Sequence, residues 1–141
     1  MHIKLCTRCN TGKNVSEFHA NKNNPDGFQK QCKVCRQRAY NNLTPEQKKE
    51  RNLIQHYNMT WLEYLTKYTA QEGKCGCCSR PIALLSTTKN RIGAHVDHNH
   101  ETNVNRDLLC HQCNIAVGMI KESVETAEAL VLYLKRHQNT H

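Results

Sequence analysis

Eight of the nine cysteines fall into four Cys-x-x-Cys pairs, Cys6/Cys9, Cys32/Cys35, Cys75/Cys78 and Cys110/Cys113. That spacing limits the folds open to the chain more than any other feature. Two residues between thiolates let both sulfurs turn toward one tetrahedral ion, so two such pairs make a four-cysteine zinc site. Cys6, Cys9, Cys32 and Cys35 are expected to hold one structural Zn2+, and Cys75, Cys78, Cys110 and Cys113 a second. The ninth, Cys77, lies inside the third pair, as a spare thiol or a substitute for Cys75 or Cys78. Only 38% of the 141 residues are hydrophobic, so metals rather than one large apolar core must staple the fold. The chain opens Met1-His2-Ile3-Lys4-Leu5-Cys6, with no apolar run resembling a signal peptide. No stretch approaches the ~20 apolar residues of a membrane span. Reduced thiols without an export signal imply a cytoplasmic protein and no membrane partner.

The formal net charge of +8 points to a polyanionic partner. The excess is concentrated in residues 1–40, where eight bases face only Glu17 and Asp26. This stretch, 1–40, reads as a zinc-finger module, with a turn cluster at Asn23-Asn24-Pro25-Asp26-Gly27 and with Phe18 and Phe28 packing on its metal site. Residues 41–72 read as a connector of two helices. Thr44-Pro45-Glu46-Gln47 and Thr60-Trp61-Leu62-Glu63 are capping boxes, and Gly73 is a stop. Trp61, Leu62, Leu65 and Tyr68 are the expected core face of the second helix, while Leu53, Ile54 and Tyr57 cluster at the end of the first. Residues 73–121 carry the second zinc group. Here the pattern predicts a β-hairpin over roughly 82–98, a loop through 101–107 and a helix beginning near Cys110–Cys113. Residues 122–141 form a last helix, capped by Ser123, whose stripe of Val124, Ala127, Val131 and Leu134 needs a partner surface: the core or a second copy.

The chemistry lies in His95-Val96-Asp97-His98-Asn99-His100 and Leu108-Leu109-Cys110-His111-Gln112-Cys113-Asn114. Phosphodiester hydrolysis needs an activated water, charge stabilisation on phosphate and help for the departing oxygen. Asp97 offers a charged oxygen and Asn114 an amide oxygen to a hard divalent ion, Mg2+ or Mn2+. His98 carries an imidazole, the side-chain type suited to proton transfer near neutral pH, and can serve as general base. The cysteine pairs hold the segments bearing Asp97, His98 and Asn114 against each other, in a fragment too small to do so by packing.

Gly73-Lys74-Cys75-x-x-Cys78, then His95 to His100, then Leu108-Leu109-Cys110-x-x-Cys113-Asn114 and Gly118 resemble the phage recombination endonuclease VII family, within the wider HNH or ββα-metal nucleases. The resemblance covers about residues 60–121. It implies a small zinc-stapled α+β fold: a ββα-metal nuclease core with flanking helices and an N-terminal zinc-knuckle module. It also implies that Asp97 and Asn114 hold the catalytic metal, that His98 activates water, and that His100 contacts phosphate or supports the metal shell. His95 matches a family position to which we assign a structural role. The N-terminal module is similar to zinc fingers found beside HNH cores, which implies DNA binding through Lys30, Lys33, Arg36 and Arg38, mostly on phosphates. Arg106, beside the second knuckle, joins this DNA-binding set.

Two departures stand out. The family's Arg-Gly-Leu-Leu-Cys is here Arg106-Asp107-Leu108-Leu109-Cys110, which replaces a loop glycine with an acid close to DNA. Its resolvase members carry an acid shortly after the Asn, where this chain has Ile115, Ala116 and Val117. The expected function is therefore a metal-dependent DNA endonuclease of the phage accessory or homing type, nicking or cutting duplex DNA, in the cytoplasm of a host cell if phage-encoded. The alternatives are a branched-DNA (Holliday junction) resolvase acting as a dimer, a non-catalytic double zinc-finger DNA-binding protein, and cleavage of RNA. Monomer and homodimer both stay open.

Overall fold

The computed structural model describes residues 2–85 and 92–138, and the chain forms two compact units, Met1–Lys48 and Lys49–His141. In the first, β1 (Ile3–Leu5) and β2 (Gly12–Asn14) pair antiparallel with Lys4 opposite Lys13. The hairpin turn contains Cys6 and Cys9 and closes at Asn10, whose φ of 51° is left-handed. A 3-10 turn over Val15–Glu17 follows, and helix α1 spans Lys33–Asn41. The expected turn forms at Asn21–Gly27, with the Gly27 N–H donating to the Asn24 carbonyl at 2.9 Å. Lys4 pairs with Asp26 across it.

The core of this unit is Cys6, Phe18, Cys32 and Cys35, with Phe28 packed against them. Both phenylalanines therefore sit where expected. Two rings and a few sulfurs bury little apolar area for the stretch they order, and the four sulfurs could hold a metal ion that supports it. The sequence reading contains no α1. Its N-cap is Cys32, which makes no side-chain cap, and only Cys35 of its residues is buried, so neither a cap signal nor an apolar stripe marks it.

Helix α2 (Pro45–Tyr57) opens with the Thr44–Gln47 box: the Gln47 N–H donates to Thr44 Oγ1 at 3.2 Å, and the Thr44 N–H to Gln47 Oε1 at 2.9 Å. Helix α3 (Trp61–Ala70) has the second box complete at Thr60 and Glu63, and Gly73 takes a φ of 66° just past its end. Its inward face differs from the expectation. Tyr64 is fully buried, while Leu62 is 71% exposed. The face is Trp61, Tyr64, Leu65 and Tyr68, at i, i+3, i+4 and i+7. A tyrosine can sit at the centre because its hydroxyl lies 2.8 Å from the Leu84 carbonyl and 3.2 Å from that of Ala94. Burial pushes the phenol pKa up and keeps it protonated.

Strands β3 (His95–His98) and β4 (Asn105–Leu109) form an antiparallel hairpin, followed by helix α4 (His111–Met119) and helix α5 (Val124–His137). The expected hairpin over 82–98 is thus displaced. Its second strand is Asn105–Leu109, most of which reads as loop because Asn105, Arg106 and Asp107 are polar. Part of the expected range, 86–91, lies outside the described residues. Leu53, Met59, Tyr64, Ile82, Ala94, Val96, Leu108 and Leu109 make the core together with Cys75 and Cys110. Leu53 is buried and Tyr57 packs on this core, whereas Ile54 is 56% exposed. Among the described residues none of α5 is buried, so its Val124, Val131 and Leu134 do not pack on the core.

Candidate active site

The two cysteine groups share one construction. In each, the first pair sits in a turn that ends on a left-handed residue, Asn10 or Ser79. The second pair opens a helix, with Cys32 as N-cap of α1 and Cys110 as N-cap of α4. In each group the four Sγ atoms lie within 4.8 Å of one another. Backbone donors point at them: the Cys32 N–H reaches Cys6 Sγ at 3.3 Å, and the Cys110 N–H reaches Cys75 Sγ at 3.2 Å.

Hydrogen bonds of this kind favour thiolate. The backbone N–H of Cys32 draws the Cys6 pKa down to about 6, and that of Arg80 does the same for Cys78. Crowding has the opposite effect on their neighbours. The Cys32 thiol beside it drives Cys35 up to about 12, and burial drives Cys113 up. Four sulfurs this close ionise together only around a cation, and the all-sulfur tetrahedral donor set suits zinc. Cys77 is exposed and outside the group, which is made of Cys75, Cys78, Cys110 and Cys113.

The β3–β4 hairpin carries a bulge at the motif. Val96 faces Leu108 and His98 faces Asn105, so Arg106 and Asp107 together lie opposite Asp97. A bulge of this type re-aims side chains and recurs beside active sites. It delivers Arg106 onto Asp97. Nε donates to Oδ2 at 2.6 Å and Nη2 to Oδ1 at 3.1 Å, and Nη2 also reaches the His98 carbonyl at 3.1 Å. The third nitrogen, Nη1, donates to Glu122 Oε2 at 3.1 Å.

His98 is held between two rings. Tyr57 meets it edge-on at 5.6 Å between centroids, and His100 lies 4.8 Å away. Helix α4 packs on both strands. Its His111 approaches His95, with centroids 5.3 Å apart. Asn114, three residues on, is half-buried on the same helix. Past α4, Lys121 and Glu122 take left-handed φ values of 52° and 59°. The turn brings Glu122 to His100, whose N–H donates to Oε1 at 3.3 Å. Asn99, His100, Glu101, Arg106, Gly118, Lys121 and Glu122 line a cleft of about 400 Å³.

Of the other expected site residues, Lys30, Lys33 and Arg38 are exposed and Arg36 is half-buried; the last three lie on α1. Lys33 Nζ is engaged by the Ser16 carbonyl at 2.7 Å. Arg106 is taken up by Asp97 and Glu122 rather than projecting free. The sequence reading missed Tyr57, Glu122 and Lys49. Lys49 Nζ donates to the Ala94 carbonyl at 3.0 Å and lies over the Tyr64 ring, and burial lowers its pKa to about 8. Burial, with Lys49 and His111 nearby, also lowers the pKa of His95.

A short antiparallel hairpin, a helix packed on it and an Asp-His pair at the bulge make a ββα unit built on a four-cysteine group. The profile of the recombination endonuclease VII family matches residues 50–136, and the chain belongs to that family. It is 31% identical over 88 residues to the Gene 59 protein of Mycobacterium phage D29, covering 62% of this chain and 50% of that one. To the Gene 59 protein of Mycobacterium phage L5 it is 33% identical over 86 residues, covering 60% and 49%. The chain spans about half the length of these curated relatives. Among solved structures it is similar to the ββα-Me type II restriction endonuclease Hpy99I, at 21% identity and a TM-score of 0.37, over 96% of this chain and 66% of that one. Among the described residues no helix is long and apolar enough to cross a membrane.

Proposed function

We propose that the protein is a metal-dependent DNA endonuclease that hydrolyses phosphodiester bonds, with Asp97 and Asn114 as ligands of a divalent ion and His98 as general base. The observation that carries this reading is the placement of an Asp-His pair at a strand bulge, facing a helix whose start is tied to a four-cysteine group and which bears Asn114 one turn on. The donor set fits the ion: a carboxylate and an amide oxygen suit Mg2+ or Mn2+ and leave positions for water and phosphate. When bound, the ion supplies Lewis-acid stabilisation of the phosphate oxygens and the departing 3′ oxygen. His98 takes a proton from water at a ring nitrogen. The Tyr57 and His100 rings lie beside that of His98 and narrow the orientations open to it. His100 and Lys121, at the cleft, add donors for the phosphate. Lys30, Lys33, Arg36 and Arg38 bind the DNA backbone, which positions the duplex without reading its sequence.

The first unit is the DNA-binding module, and the helices and strands from residue 49 onward carry the chemistry. Hydrolysis leaves a 5′ phosphate. Duplex DNA, four-way junctions and RNA of matched length, each incubated with Mg2+, separate the readings. Cleavage of duplex with 5′-phosphate ends supports the endonuclease. Exclusive cleavage of junctions favours a resolvase, and exclusive cleavage of RNA or 3′-phosphate ends refute the proposal. Binding without cleavage of any substrate makes the protein a zinc-finger binder.

A further inference from the structure

The acid that the family's resolvases carry just after the Asn is absent from α4, yet a second carboxylate, Glu122, shares Arg106 with Asp97. Glu122 is outside the helical frame of Asn114. It sits on a left-handed turn at the end of the same helix, its N–H bonded to the Val117 carbonyl at 3.1 Å. Its side chain is 16% exposed and that of Asp97 13%. Carboxylates so enclosed need a cation, and both draw on the same one, Arg106. Each Asp97 oxygen accepts a hydrogen bond from the guanidinium. Glu122 gives one oxygen to Arg106 and turns the other to His100, 3.6 Å from Nδ1. A divalent ion arriving at Asp97 therefore meets a fixed positive charge on the same carboxylate.

We propose that Arg106 is a built-in cation that competes with a divalent ion for Asp97, and that Glu122 is the positioning residue that retains Arg106 in the cleft once Asp97 turns to the ion. This rests on the reading of Asp97 as a metal ligand. Without Glu122 the guanidinium has one acidic partner, and its grip on Asp97 tightens. With Glu122, releasing Asp97 costs less, because one charge-assisted hydrogen bond survives the exchange.

Isothermal titration of Mn2+ into zinc-loaded protein tests this without reference to cleavage. Asp97→Ala is the control that assigns the heat to this site. Arg106→Gln is expected to bind Mn2+ about tenfold more tightly, since a charge-assisted competitor is gone. Glu122→Gln is expected to bind it more weakly, and most of that loss is expected to disappear in the Arg106→Gln, Glu122→Gln double variant. Equal affinity of wild type and Arg106→Gln overturns the competition. A Glu122→Gln loss that persists undiminished in the double variant makes Glu122 a direct ligand and overturns its positioning role. Mn2+ binding that survives Asp97→Ala brings down the metal-site reading itself, and this inference with it.

Discussion

Gly76 and Asp107 touch in a way that gives a prediction with a change of sign. A Cβ built on Gly76 would lie 2.8 Å from the Cβ of Asp107 and 3.0 Å from its Oδ2. The carboxylate can rotate away, but Asp107 Cβ is fixed to the β4 backbone. The Gly76 N–H is tied to that strand too, through the Leu108 carbonyl at 3.0 Å. Gly76 has no left-handed φ, so alanine there carries no backbone strain. Two effects then compete in Gly76→Ala. Overpacking costs ~1–3 kcal/mol, and the loss of unfolded-chain entropy returns ~0.4–1 kcal/mol. The net is a destabilisation of ~1–2 kcal/mol, which lowers Tm by ~4–8 °C per kcal/mol in a unit of this size. In an Asp107→Gly background, where the family's usual glycine is restored, the clash is absent. Gly76→Ala should then be neutral or stabilising by ~0.4–1 kcal/mol. Urea melts of the four proteins give the interaction energy directly. An equal destabilisation by Gly76→Ala in both backgrounds refutes the reasoning.

Other consequences follow from the same geometry. Purified protein should contain two zinc ions per chain, and chelation should abolish its near-UV circular dichroism. Structural zinc contributes ~10–16 kcal/mol, comparable with the whole ~5–15 kcal/mol stability of a typical domain; an unchanged melting curve after zinc loss would contradict this. Lys49→Met should stabilise the protein below pH 8. There the buried amine, with its pKa lowered by burial from 10.5 to about 8, is charged in both states and costs energy to bury. From pH 8 to 10.5 the folded state sheds that proton first, so the wild type gains stability and the advantage, under ~3 kcal/mol after solvent screening, closes. An advantage that grows with pH has the wrong sign. Leu108→Ala, at a fully buried side chain, should cost ~2–5 kcal/mol in denaturant melts, and a loss under 1 kcal/mol would place Leu108 outside the core.

The features legible in the sequence were those whose chemistry is local. Cysteine spacing identifies the two four-cysteine groups because two intervening residues suffice to aim both sulfurs. The two capping boxes mark α2 and α3 because a cap is a contact over three residues. Features that depend on distant partners stayed hidden. Helix α1 takes its start from Cys32, a residue with no cap signature, and β4 opens on three polar residues whose partners are distant: Asn105 bonds the Tyr57 carbonyl, Arg106 bonds Asp97, and Asp107 is exposed. Tyr64 reads as amphipathic until the carbonyls of Leu84 and Ala94 satisfy its hydroxyl. Glu122 lies past the end of α4 at Met119, and the turn at Lys121–Glu122 brings it to Arg106. The α5 stripe reads as needing a partner surface, the core or a second copy, and its Val124, Val131 and Leu134 are exposed.

Supercoiled plasmid incubated with Mg2+ and either the wild-type protein or His98→Ala, each beside an EDTA control, tests the central claim most directly. Nicked or linear DNA from wild type with Mg2+ alone, and intact plasmid from a folded, zinc-replete His98→Ala variant, is the predicted result. Equal cleavage by His98→Ala, or cleavage that persists in EDTA, would contradict it.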